Sequence, residues 1–412
     1  MKDGCIGEHL GHSFSGEIHS ALSDYEYEIC EVSRDALDAF MTARDFLAIN
    51  VTIPYKELVI PHLHYIDPMA REIGAVNTVV NREGLLYGYN TDFYGMSALI
   101  AHAGISLNDK KVIILGTGGT SKTAVAVASH LGAKETIRVS RTEREDAISY
   151  ERLYLEHTDA DIIINTTPAG MFPKLDACPV DISRFKSLSG VIDAIYNPLR
   201  SRLILDARAH GISAEGGLYM LVAQAVRASE IFLDIEYPAG TTDRVYEKIY
   251  KSKENIVLVG MPASGKSTVG ALIASELSRE LVDTDTLIVE REGAKIPDIF
   301  ATKGEKYFRD RECEVIADTA SASSLVIATG GGAPLREENV TSLRQNGRIY
   351  FIDRSPNLLV PTSDRPLAKD RAAIEDRYRE RYPIYSGICD KKIDADGTSR
   401  EVAEKILEDF RK

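Results

Sequence analysis

Short runs of aliphatic and β-branched residues recur along the chain, and each leads into a turn rich in glycine or proline. Longer stretches with apolar residues at helical spacing follow these turns. Strands that are apolar at every position are buried on both faces, and their alternation with helices is typical of parallel α/β sheets. None of the apolar runs approaches the roughly 18 residues that a membrane span requires. The clearest segments are VIILGTGG (112–119), DIIINTTPAG (161–170), GVIDAIYNP (190–198), NIVLVGMPASG (255–265) and SLVIATGGG (324–332).

The same pattern predicts a domain boundary near residues 251–255. The segment TTDRVYEKIYKSK (241–253) is expected to form a helix with a lysine-rich end, and a new apolar strand begins at Ile256. No spacer rich in glycine and serine lies between them, so two domains should follow each other directly. A chain of 412 residues is long enough for two or three domains. We predict one domain over 1–252 and a second over 253–412.

Charge and cysteine content narrow the classes of function. The formal net charge of −13 repels polyanions, which argues against general binding of nucleic acid or of anionic membranes. The five cysteines are scattered without a CxxC pair, which is typical of a reducing compartment and offers no zinc site. The segment MKDGCIGEHLG lacks the basic and apolar regions of a secretory signal. We therefore expect a soluble, cytoplasmic protein.

A glycine-rich turn in the first half is typical of dinucleotide binding. Gly116, Gly118 and Gly119 lie between a predicted strand and a predicted helix, where backbone amides can approach a pyrophosphate at the helix N-terminus. The strict GxGxxG pattern is not met, and Ala124 is expected to pack the helix on the strand. A glycine turn without a ligand is the alternative interpretation.

The next predicted strand indicates which dinucleotide would bind. ETIRVSRTER places Ser140, Arg141 and Thr142 about 20 residues after the glycines, where NAD-binding proteins usually offer an acidic residue to the ribose. An arginine instead suits a 2′-phosphate, because its guanidinium donates to phosphate oxygens and stays charged. The pattern favours NADP over NAD, and a solvated arginine at a strand end is the alternative.

Four upstream segments carry the polar groups of a small-molecule site. They supply hydroxyls, an amide, one cation and one anion, which suit a polyhydroxylated ligand whose buried hydroxyls each need a partner. Reduction of a ketone by hydride creates an alkoxide that must be protonated, and Lys56 beside Asp92 could serve as the general acid–base pair. The segments are HSFS (12–15), NVTIPYKE (50–57), GAVNTVV (74–80) and GYNTDFYG (88–95), with Ser13, Ser15, Thr52, Lys56, Asn77 and Asp92.

The second half contains a complete phosphate-binding loop. NIVLVGMPASGKSTVG has the pattern GxxxxGKS after a predicted strand and before a predicted helix. Backbone amides of such a loop cradle phosphates, Lys266 reaches the β- and γ-oxygens, and the Ser267 hydroxyl joins magnesium. The motif predicts an ATP or GTP site.

Acidic residues, glycines and arginines downstream indicate a phosphoryl acceptor site. Asp283 and Asp285 are predicted at a strand end with two residues' spacing, which would place both carboxylates on one side, one for magnesium and one for the attacking hydroxyl. Gly330, Gly331 and Gly332 lack side chains and could admit a small ring close to the backbone. Arginines in an acidic chain suggest anion pockets, and the three candidates are Arg309, Arg365 and Arg381.

Along residues 1–250 the chain resembles shikimate dehydrogenase. The resemblance rests on the four polar segments, the GxGG turn, the SRT strand end, DAIYNPLRS (193–201) and EGGLYMLVAQA (215–225). It implies a substrate lobe at about 1–97 and 218–252, and a Rossmann-like NADP lobe at about 98–217. It implies that NADPH reduces 3-dehydroshikimate, with Lys56 and Asp92 catalytic. The implied substrate residues are Ser13, Ser15, Thr52, Asn77, Tyr196 and Gln224, and the implied NADP residues are Gly116, Gly118, Gly119, Ser140, Arg141, Thr142 and Gly217.

Residues 254–412 resemble shikimate kinase, a P-loop fold with a parallel sheet. The resemblance implies that ATP phosphorylates shikimate and that Asp285 lies near the attacking hydroxyl. It also implies that Ser267 and Asp283 serve Mg²⁺, the aspartate through water. One departure is Leu358, which stands where the family commonly carries a basic residue against adenine. The implied shikimate residues are Asp285, Arg309, Gly331 and Arg381, and the implied ATP residues are Ala263, Ser264, Gly265, Lys266, Ser267, Thr268 and Arg365.

The two resemblances share a metabolite, because the product of the first half is the substrate of the second. The chain is therefore expected to be a bifunctional enzyme that acts on small molecules and binds neither nucleic acid nor membranes. A quinate-type dehydrogenase that uses NAD is one alternative, and Arg141 argues against it. A kinase-like half that senses a ligand without turnover is another, and the intact Lys266 and Asp285 argue against that.

Overall fold

The computed structural model describes residues 2–8, 10, 14–23, 25–359 and 371–412. The chain divides into two compact units, one formed by Met1–Asn197 and Ser201–Tyr250, the other by Pro198–Arg200 and Lys251–Lys412. Both units are α/β, as predicted. Within the described ranges, no helix combines the length and the apolar character that crossing a bilayer would demand.

The first unit contains two sheets. Its elements are β1 (Asp3–Gly7), α1 (Ser15–Leu22), β2 (Tyr27–Glu31), α2 (Leu37–Ala43), β3 (Ala48–Val51), β4 (Tyr65–Ile66), α3 (Pro68–Ile73), β5 (Thr78–Arg82), β6 (Leu85–Tyr89), α4 (Thr91–His102), β7 (Lys111–Leu115), α5 (Gly119–His130), β8 (Glu135–Ser140), β9 (Ile148–Ser149), α6 (Tyr150–Glu156), β10 (Ile162–Asn165), β11 (Gly190–Asp193), α7 (Arg202–Ala209), β12 (Ser213–Glu215), α8 (Leu218–Leu233) and α9 (Thr241–Lys253), which continues into the second unit.

The second unit contains one sheet. Its elements are β13 (Asn255–Val259), α10 (Lys266–Leu277), β14 (Leu281–Asp283), α11 (Thr284–Glu292), α12 (Ile296–Ser321), β15 (Val326–Ala328), α13 (Glu337–Asn346), β16 (Gly347–Asp353), α14 (Arg371–Ile388), β17 (Lys391–Asp394) and α15 (Ser399–Arg411). Short 3₁₀ turns lie at Arg34–Ala36, Ile60–His62, Ile182–Arg184, Ala333–Leu335 and Pro356–Leu358.

Two of the three sheets are parallel throughout. Their strand orders are β12-β11-β10-β7-β8-β9 in the first unit and β14-β15-β13-β16-β17 in the second. The remaining sheet, β2-β1-β3-β5-β6-β4, is mixed because β5 runs antiparallel to both its neighbours. Glu83 and Gly84 both have positive φ, which suits the tight hairpin between β5 and β6. The parallel sheets contain all five apolar segments for which parallel strands were predicted, and the mixed sheet was not predicted.

The apolar strands are buried on both faces, as their unbroken sequences predict. On β7, Val112 and Ile114 pack into one core with Ala124, while Ile113 and Leu115 pack into the core on the opposite face. On β13, Ile256 and Leu258 alternate in the same way with Val257 and Val259. Ligands of such α/β sheets usually bind at the carboxyl ends of the strands.

Helix α8 packs against α1 and α4 of the first unit. Gly95 lies at this contact, where a Cβ would come within 2.6 Å of the carbonyl oxygen of Met220. The predicted lobe boundary at residues 97 and 98 falls inside α4.

Candidate active sites

Lys56 and Asp92 meet in the first unit. Lys56 lies in the loop that follows β3, and Asp92 lies in the first turn of α4. The Lys56 Nζ is 2.6 Å from the Asp92 Oδ2, and the two side chains are only 19% and 12% exposed. The two residues predicted to act together are in direct contact.

These two residues line a cavity of about 580 Å³. The cavity is lined by segments that are far apart in the sequence. They are the carboxyl ends of β1 and β3 and the starts of α4 and α8. Ser13 lies outside the described residues, and the other predicted substrate residues line the cavity with Gly217. These are Ser15, Thr52, Lys56, Asn77, Asp92, Tyr196 and Gln224.

Hydrogen bonds hold the amide groups of this cavity in fixed orientations. The Asn77 Oδ1 accepts from the Thr91 backbone N–H at 2.7 Å, and the Asn77 Nδ2 donates to the Thr91 hydroxyl at 3.0 Å. Thr91 donates in turn to the Gln224 Oε1 at 3.2 Å. Behind them, the Tyr27 hydroxyl donates to the Asn50 Oδ1 at 2.7 Å. Side chains fixed in this way present their remaining polar atoms to a ligand without reorganisation.

The glycine turn and the SRT segment lie side by side in the second sheet of this unit. The Gly116 N–H donates to the Val139 carbonyl at 2.8 Å, which joins the ends of β7 and β8. Gly118 is the N-cap of α5, and both Gly118 and Gly119 are exposed. Thr120 in the first turn of α5 also lines the cavity. The turn predicted to bind a dinucleotide therefore reaches the cavity that holds Lys56.

Arg141 is placed to bind an anion. It is exposed next to the turn, and among the described residues it forms no ion pair. By contrast, the Arg138 Nη1 is 2.5 Å from the Asp146 Oδ2. Ser140 is buried, and its hydroxyl donates to the Thr142 carbonyl. Arg141 is thus an exposed guanidinium at the end of β8, the type of group that suits a phosphate.

The second unit contains the phosphate loop in its predicted context. The loop begins after Val259, the last residue of β13, and ends at Gly265. Gly265 is the N-cap residue of α10 and has a φ of 95°. The Lys266 side chain is turned back into the loop, where its Nζ donates to the carbonyls of Gly260 at 3.0 Å and Met261 at 2.9 Å. Of the other predicted ATP residues, Ala263 has a positive φ, Ser264 is buried and Thr268 is exposed, while Arg365 lies outside the described residues.

Ser267 and Asp283, the predicted magnesium ligands, are in contact. The Ser267 hydroxyl donates to the Asp283 Oδ2 at 2.5 Å. Mg²⁺ takes few protein ligands and completes its octahedral shell with waters and substrate phosphates. One hydroxyl and one carboxylate beside a phosphate loop therefore fit this ion.

Asp285 lies on a helix rather than on the predicted strand. The strand β14 ends at Asp283, and Asp285 is in the first turn of α11. The Asp283 Oδ1 caps this helix by accepting from the N–H groups of Asp285 at 3.1 Å and Thr286 at 3.2 Å. The prediction that both carboxylates share one side of a strand was wrong, because Asp283 is an effective N-cap and starts the helix earlier.

The predicted acceptor residues gather around the GGG segment. The Arg381 Nη1 donates to the Gly331 carbonyl at 2.8 Å, and the Tyr385 hydroxyl donates to the same oxygen at 2.6 Å. A Cβ on Gly330 would overlap the Asp285 carboxylate, and a Cβ on Gly332 would overlap the Arg309 guanidinium. The bare backbone thus lets these two side chains approach, whereas the sequence suggested that it would admit a ring.

Two family models match separate parts of the chain. The model of the shikimate dehydrogenase substrate-binding domain matches residues 5–79, and the shikimate kinase model matches residues 262–411. A shikimate dehydrogenase (NADP(+)) of Clostridium perfringens is 35% identical over 265 residues, which are 60% of this chain and 97% of that protein. The chain belongs to the shikimate dehydrogenase family. The predicted combination of the two families in one chain is confirmed.

Solved structures of shikimate dehydrogenases share the fold of the N-terminal part. One from Peptoclostridium difficile aligns with a TM-score of 0.56 at 35% identity and covers 60% of this chain and 98% of that chain. Another, from Thermus thermophilus in complex with NADP(H) and shikimate, aligns with a TM-score of 0.55 at 25% identity over 60% and 99% of the two chains. Both support the fold that was predicted for the first half.

Several cavity residues of this shikimate dehydrogenase family member were missed by the sequence reasoning. Some of them lie within or beside segments that were selected: Asn50 begins NVTIPYKE, Thr120 directly follows Gly119, and Met220 lies in EGGLYMLVAQA. The apolar part of the lining carried no polar signal and could be assigned only from the structure. The missed lining residues include Cys5, Glu8, Asn50, Thr120, Met171, Phe172, Met220 and Leu221.

Glu312 was missed in the kinase-family half. Its carboxylate is 1% exposed and lies 2.7 Å from the Arg309 Nη1. Burial raises the pKa of the Glu312 carboxyl, a shift that Arg309 opposes and the Asp285 charge increases. The spacing of Arg309 and Glu312 by three residues on a helix is the signal that could have identified it.

Asp193 holds the loop that brings Tyr196 to the cavity. Its Oδ1 accepts from the Asn165 Nδ2 at 2.9 Å and from the Ile195 N–H at 3.0 Å, and its Oδ2 accepts from the Ser201 hydroxyl at 2.5 Å. Gly217 supports the same loop, because a Cβ there would overlap the Ala194 carbonyl. Complete burial nevertheless raises the pKa of the Asp193 carboxyl from 3.8 to about 6.

The raised pKa of Asp193 predicts that the free energy of unfolding falls as pH rises. Between about pH 4 and 6 the folded carboxyl binds more protons than the unfolded one, so the free energy of unfolding decreases as pH rises through this window. Asp193→Asn does not titrate there, and its stability relative to wild type should rise by about 2–3 kcal/mol across the window. Urea unfolding at pH 4 and 7 measures this, with the exposed Asp176→Asn as control. A difference independent of pH would contradict the prediction.

Proposed function

We propose that the chain catalyses two successive reactions. The first reduces 3-dehydroshikimate to shikimate with NADPH, and the second phosphorylates shikimate with ATP to give shikimate 3-phosphate and ADP. The contact between Lys56 and Asp92, inside a cavity that reaches the start of α5, carries the first assignment. The contact between Ser267 and Asp283 beside a complete phosphate loop supports the second.

Reduction at this site requires a hydride, a proton donor and partners for the substrate hydroxyls. NADPH, when bound, supplies the hydride to the carbonyl carbon and leaves as NADP⁺. The Lys56 ammonium then donates a proton to the developing alkoxide, and Asp92 orients Lys56 and stabilises its charge. Lys56 recovers its proton from solvent, so one proton is consumed in each turnover. The hydroxyls and amides that line the cavity, including Ser15, Thr52 and Gln224, hold the substrate.

Arg141 is proposed to select NADP. Arg141→Asp replaces a guanidinium by a carboxylate that repels the 2′-phosphate, and should weaken NADPH binding by about 2 kcal/mol or more, roughly 30-fold. NADH, which lacks that phosphate, should bind about as before. The dissociation constants of both nucleotides, from protein-induced changes in their fluorescence, measure this.

The matched control for Arg141 is Lys134→Asp. Lys134 is an exposed cation that precedes β8, the strand whose opposite end carries Arg141. Lys134→Asp produces the same change of charge at the far end of the strand and should leave the affinities for NADPH and NADH unchanged. Equal preference of the wild-type protein for NADPH and NADH would contradict the role of Arg141.

Phosphoryl transfer is proposed to run from the phosphate loop toward the GGG segment. The Asp285 carboxylate orients the shikimate hydroxyl and accepts its proton as the new O–P bond forms and the bond to ADP breaks. Lys266 is the cation that contacts the phosphates, and Ser267 and Asp283 would hold a magnesium ion, which would supply further positive charge there. Arg309 and Arg381 are the cations available for the substrate carboxylate.

We further propose that the boundary between the dehydrogenase and kinase domains lies at residues 252 and 253, as the sequence predicts. The end of α9 at Lys253 and the start of β13 at Asn255 support it. In the first domain, the substrate lobe would comprise about 1–97 with 218–252, and the NADP lobe about 98–217. A cytoplasmic location stays part of this proposal.

Both half-reactions measured on one purified chain test the function. Oxidation of NADPH by 3-dehydroshikimate and formation of ADP with shikimate as the sole acceptor should both occur in the same preparation. Binding of ATP and shikimate without ADP formation would favour the sensing alternative for the kinase half. Oxidation of quinate by NAD at a greater rate than that of shikimate by NADP would favour a quinate-type dehydrogenase.

A further inference from the structure

We propose that Arg354 binds the nucleoside side of ATP, at its α-phosphate, ribose or base, and not the γ-phosphate that is transferred. The proposal rests on the proposed kinase function and adds a binding residue to that site. Its evidence is the position of Arg354 beside the phosphate loop and the order of the strands around that loop.

Arg354 lies directly against the phosphate loop. It follows β16, which pairs in parallel with β13 so that Phe351 lies opposite Val259, the last strand residue before the loop. A Cβ on Gly265 would be 3.9 Å from the Arg354 Nη1. The guanidinium is therefore close to the start of α10, where the amides of the loop receive phosphates.

The Arg354 guanidinium has an unused donor. Its Nε is buried, and among the described residues it has no hydrogen-bond partner. The Asp396 carboxylate already accepts the Ser355 N–H at 2.8 Å and the Ser355 hydroxyl at 2.5 Å. Hydrogen bonds from Ser355 are the main cause that lowers the pKa of the Asp396 carboxyl, and Arg354 adds to it only as a neighbouring charge. A buried donor without a partner calls for an explanation, and a ligand supplies one.

The order of the strands decides which part of the nucleotide Arg354 faces. Along the sheet the order is β14-β15-β13-β16-β17. Asp285 follows β14 and Gly331 follows β15, so the proposed phosphoryl acceptor lies on one side of the phosphate loop. Arg354 follows β16 and lies on the other side. The γ-phosphate must point toward the acceptor, which leaves the α-phosphate and the nucleoside on the side of Arg354.

An arginine suits that side of the nucleotide for two reasons. Its guanidinium can donate to the α-phosphate or to ribose oxygens, and its plane can stack on a purine. The adjacent 3₁₀ turn, Pro356–Leu358, contains no cation of its own, and its Leu358 has 43% of its surface exposed; the guanidinium of Arg371 on α14 is engaged with Asn357 of this turn. Arg354 is therefore the cation that this side of the loop provides within the described residues that follow β16 up to Leu359.

Arg354→Ala tests the proposal by direct binding. The affinities for Mg²⁺–ATP and Mg²⁺–ADP, measured by calorimetry on the full-length chain without shikimate, should both fall by about tenfold or more and by similar factors. NADPH binding should not change. Arg354→Lys keeps the charge but loses the planar fork, and should recover only part of the loss. Arg400→Ala, which removes a side chain 85% exposed on α15, is the control.

Each outcome separates the possible roles. Unchanged affinity for both nucleotides in Arg354→Ala would overturn the proposal, as would a loss for ATP with none for ADP, which would assign Arg354 to the γ-phosphate. If Arg354→Ala unfolds at lower urea concentration than wild type, the test rests on Arg354→Lys instead. Nucleotide affinities of Arg354→Lys equal to those of wild type would then overturn the proposal. Nucleotide binding by the wild-type chain without phosphorylation of shikimate would refute the kinase function and leave the role of Arg354 intact. A wild-type chain that binds neither nucleotide would refute both.

Discussion

Lys56→Ala should abolish most dehydrogenase turnover while leaving NADPH binding intact. The lysine contacts Asp92 inside the cavity at 2.6 Å and acts on the substrate oxygen rather than on the dinucleotide. A positioned general acid contributes about 10²–10⁴-fold to a rate, so kcat should fall by that factor. Initial rates of NADPH oxidation with saturating 3-dehydroshikimate measure the loss, and a fluorescence titration measures the NADPH affinity.

A matched lysine provides the control for this result. Lys110 is also paired with an aspartate, since its Nζ lies 3.1 Å from the Asp161 Oδ1, but it precedes β7 at the end opposite the glycine turn. Lys110→Ala should keep nearly full activity. If Lys56→Ala retained wild-type kcat, Lys56 would be a structural residue and the proposed acid–base pair would be wrong.

Asp285→Asn should reduce kinase turnover by around two orders of magnitude or more without affecting the dehydrogenase. The amide keeps the size of the side chain but cannot accept the proton of the attacking hydroxyl. Phosphoryl transfer depends mainly on positioning and charge neutralisation, so the phosphate loop should still bind ATP. ADP formation with shikimate and NADPH oxidation with 3-dehydroshikimate are measured on the same preparation.

The control for Asp285→Asn is another aspartate in the first turn of a helix. Asp298 lies in the first turn of α12, is exposed, and is remote in sequence from the GGG segment. Asp298→Asn should retain kinase activity. A parallel loss of both activities in Asp285→Asn would mean that the two halves share a site or a folding unit, contrary to their assignment as separate modules.

Local sequence patterns predicted much of the fold, because the residues that determine each strand or helix lie within that segment. Each unbroken apolar run became a buried parallel strand, and the segment at 241–253 became α9 over the same residues. The mixed sheet of the first unit was not predicted. Its antiparallel hairpin depends on the turn at Glu83 and Gly84 and on the pairing of β5 with β3, a contact between strands that are distant along the chain.

Local patterns were less reliable at the ends of elements. The spacing of Asp283 and Asp285 suggested a shared strand face, but the cap formed by Asp283 begins a helix one residue later. A strand end and a helix start have the same residue preferences over so short a segment. The positions of the two carboxylates therefore follow from the cap and not from the alternation of the strand.

The sequence by itself determined the chemistry available to this protein: a lysine and an aspartate with hydroxyls and amides, a glycine turn with Arg141, and a complete phosphate loop. These depend on residue types at fixed spacings. Only the tertiary structure decided which groups meet. It placed Lys56 against Asp92, Ser267 against Asp283, and Arg354 beside Gly265, because strands adjacent in a sheet bring together loops that are far apart along the chain.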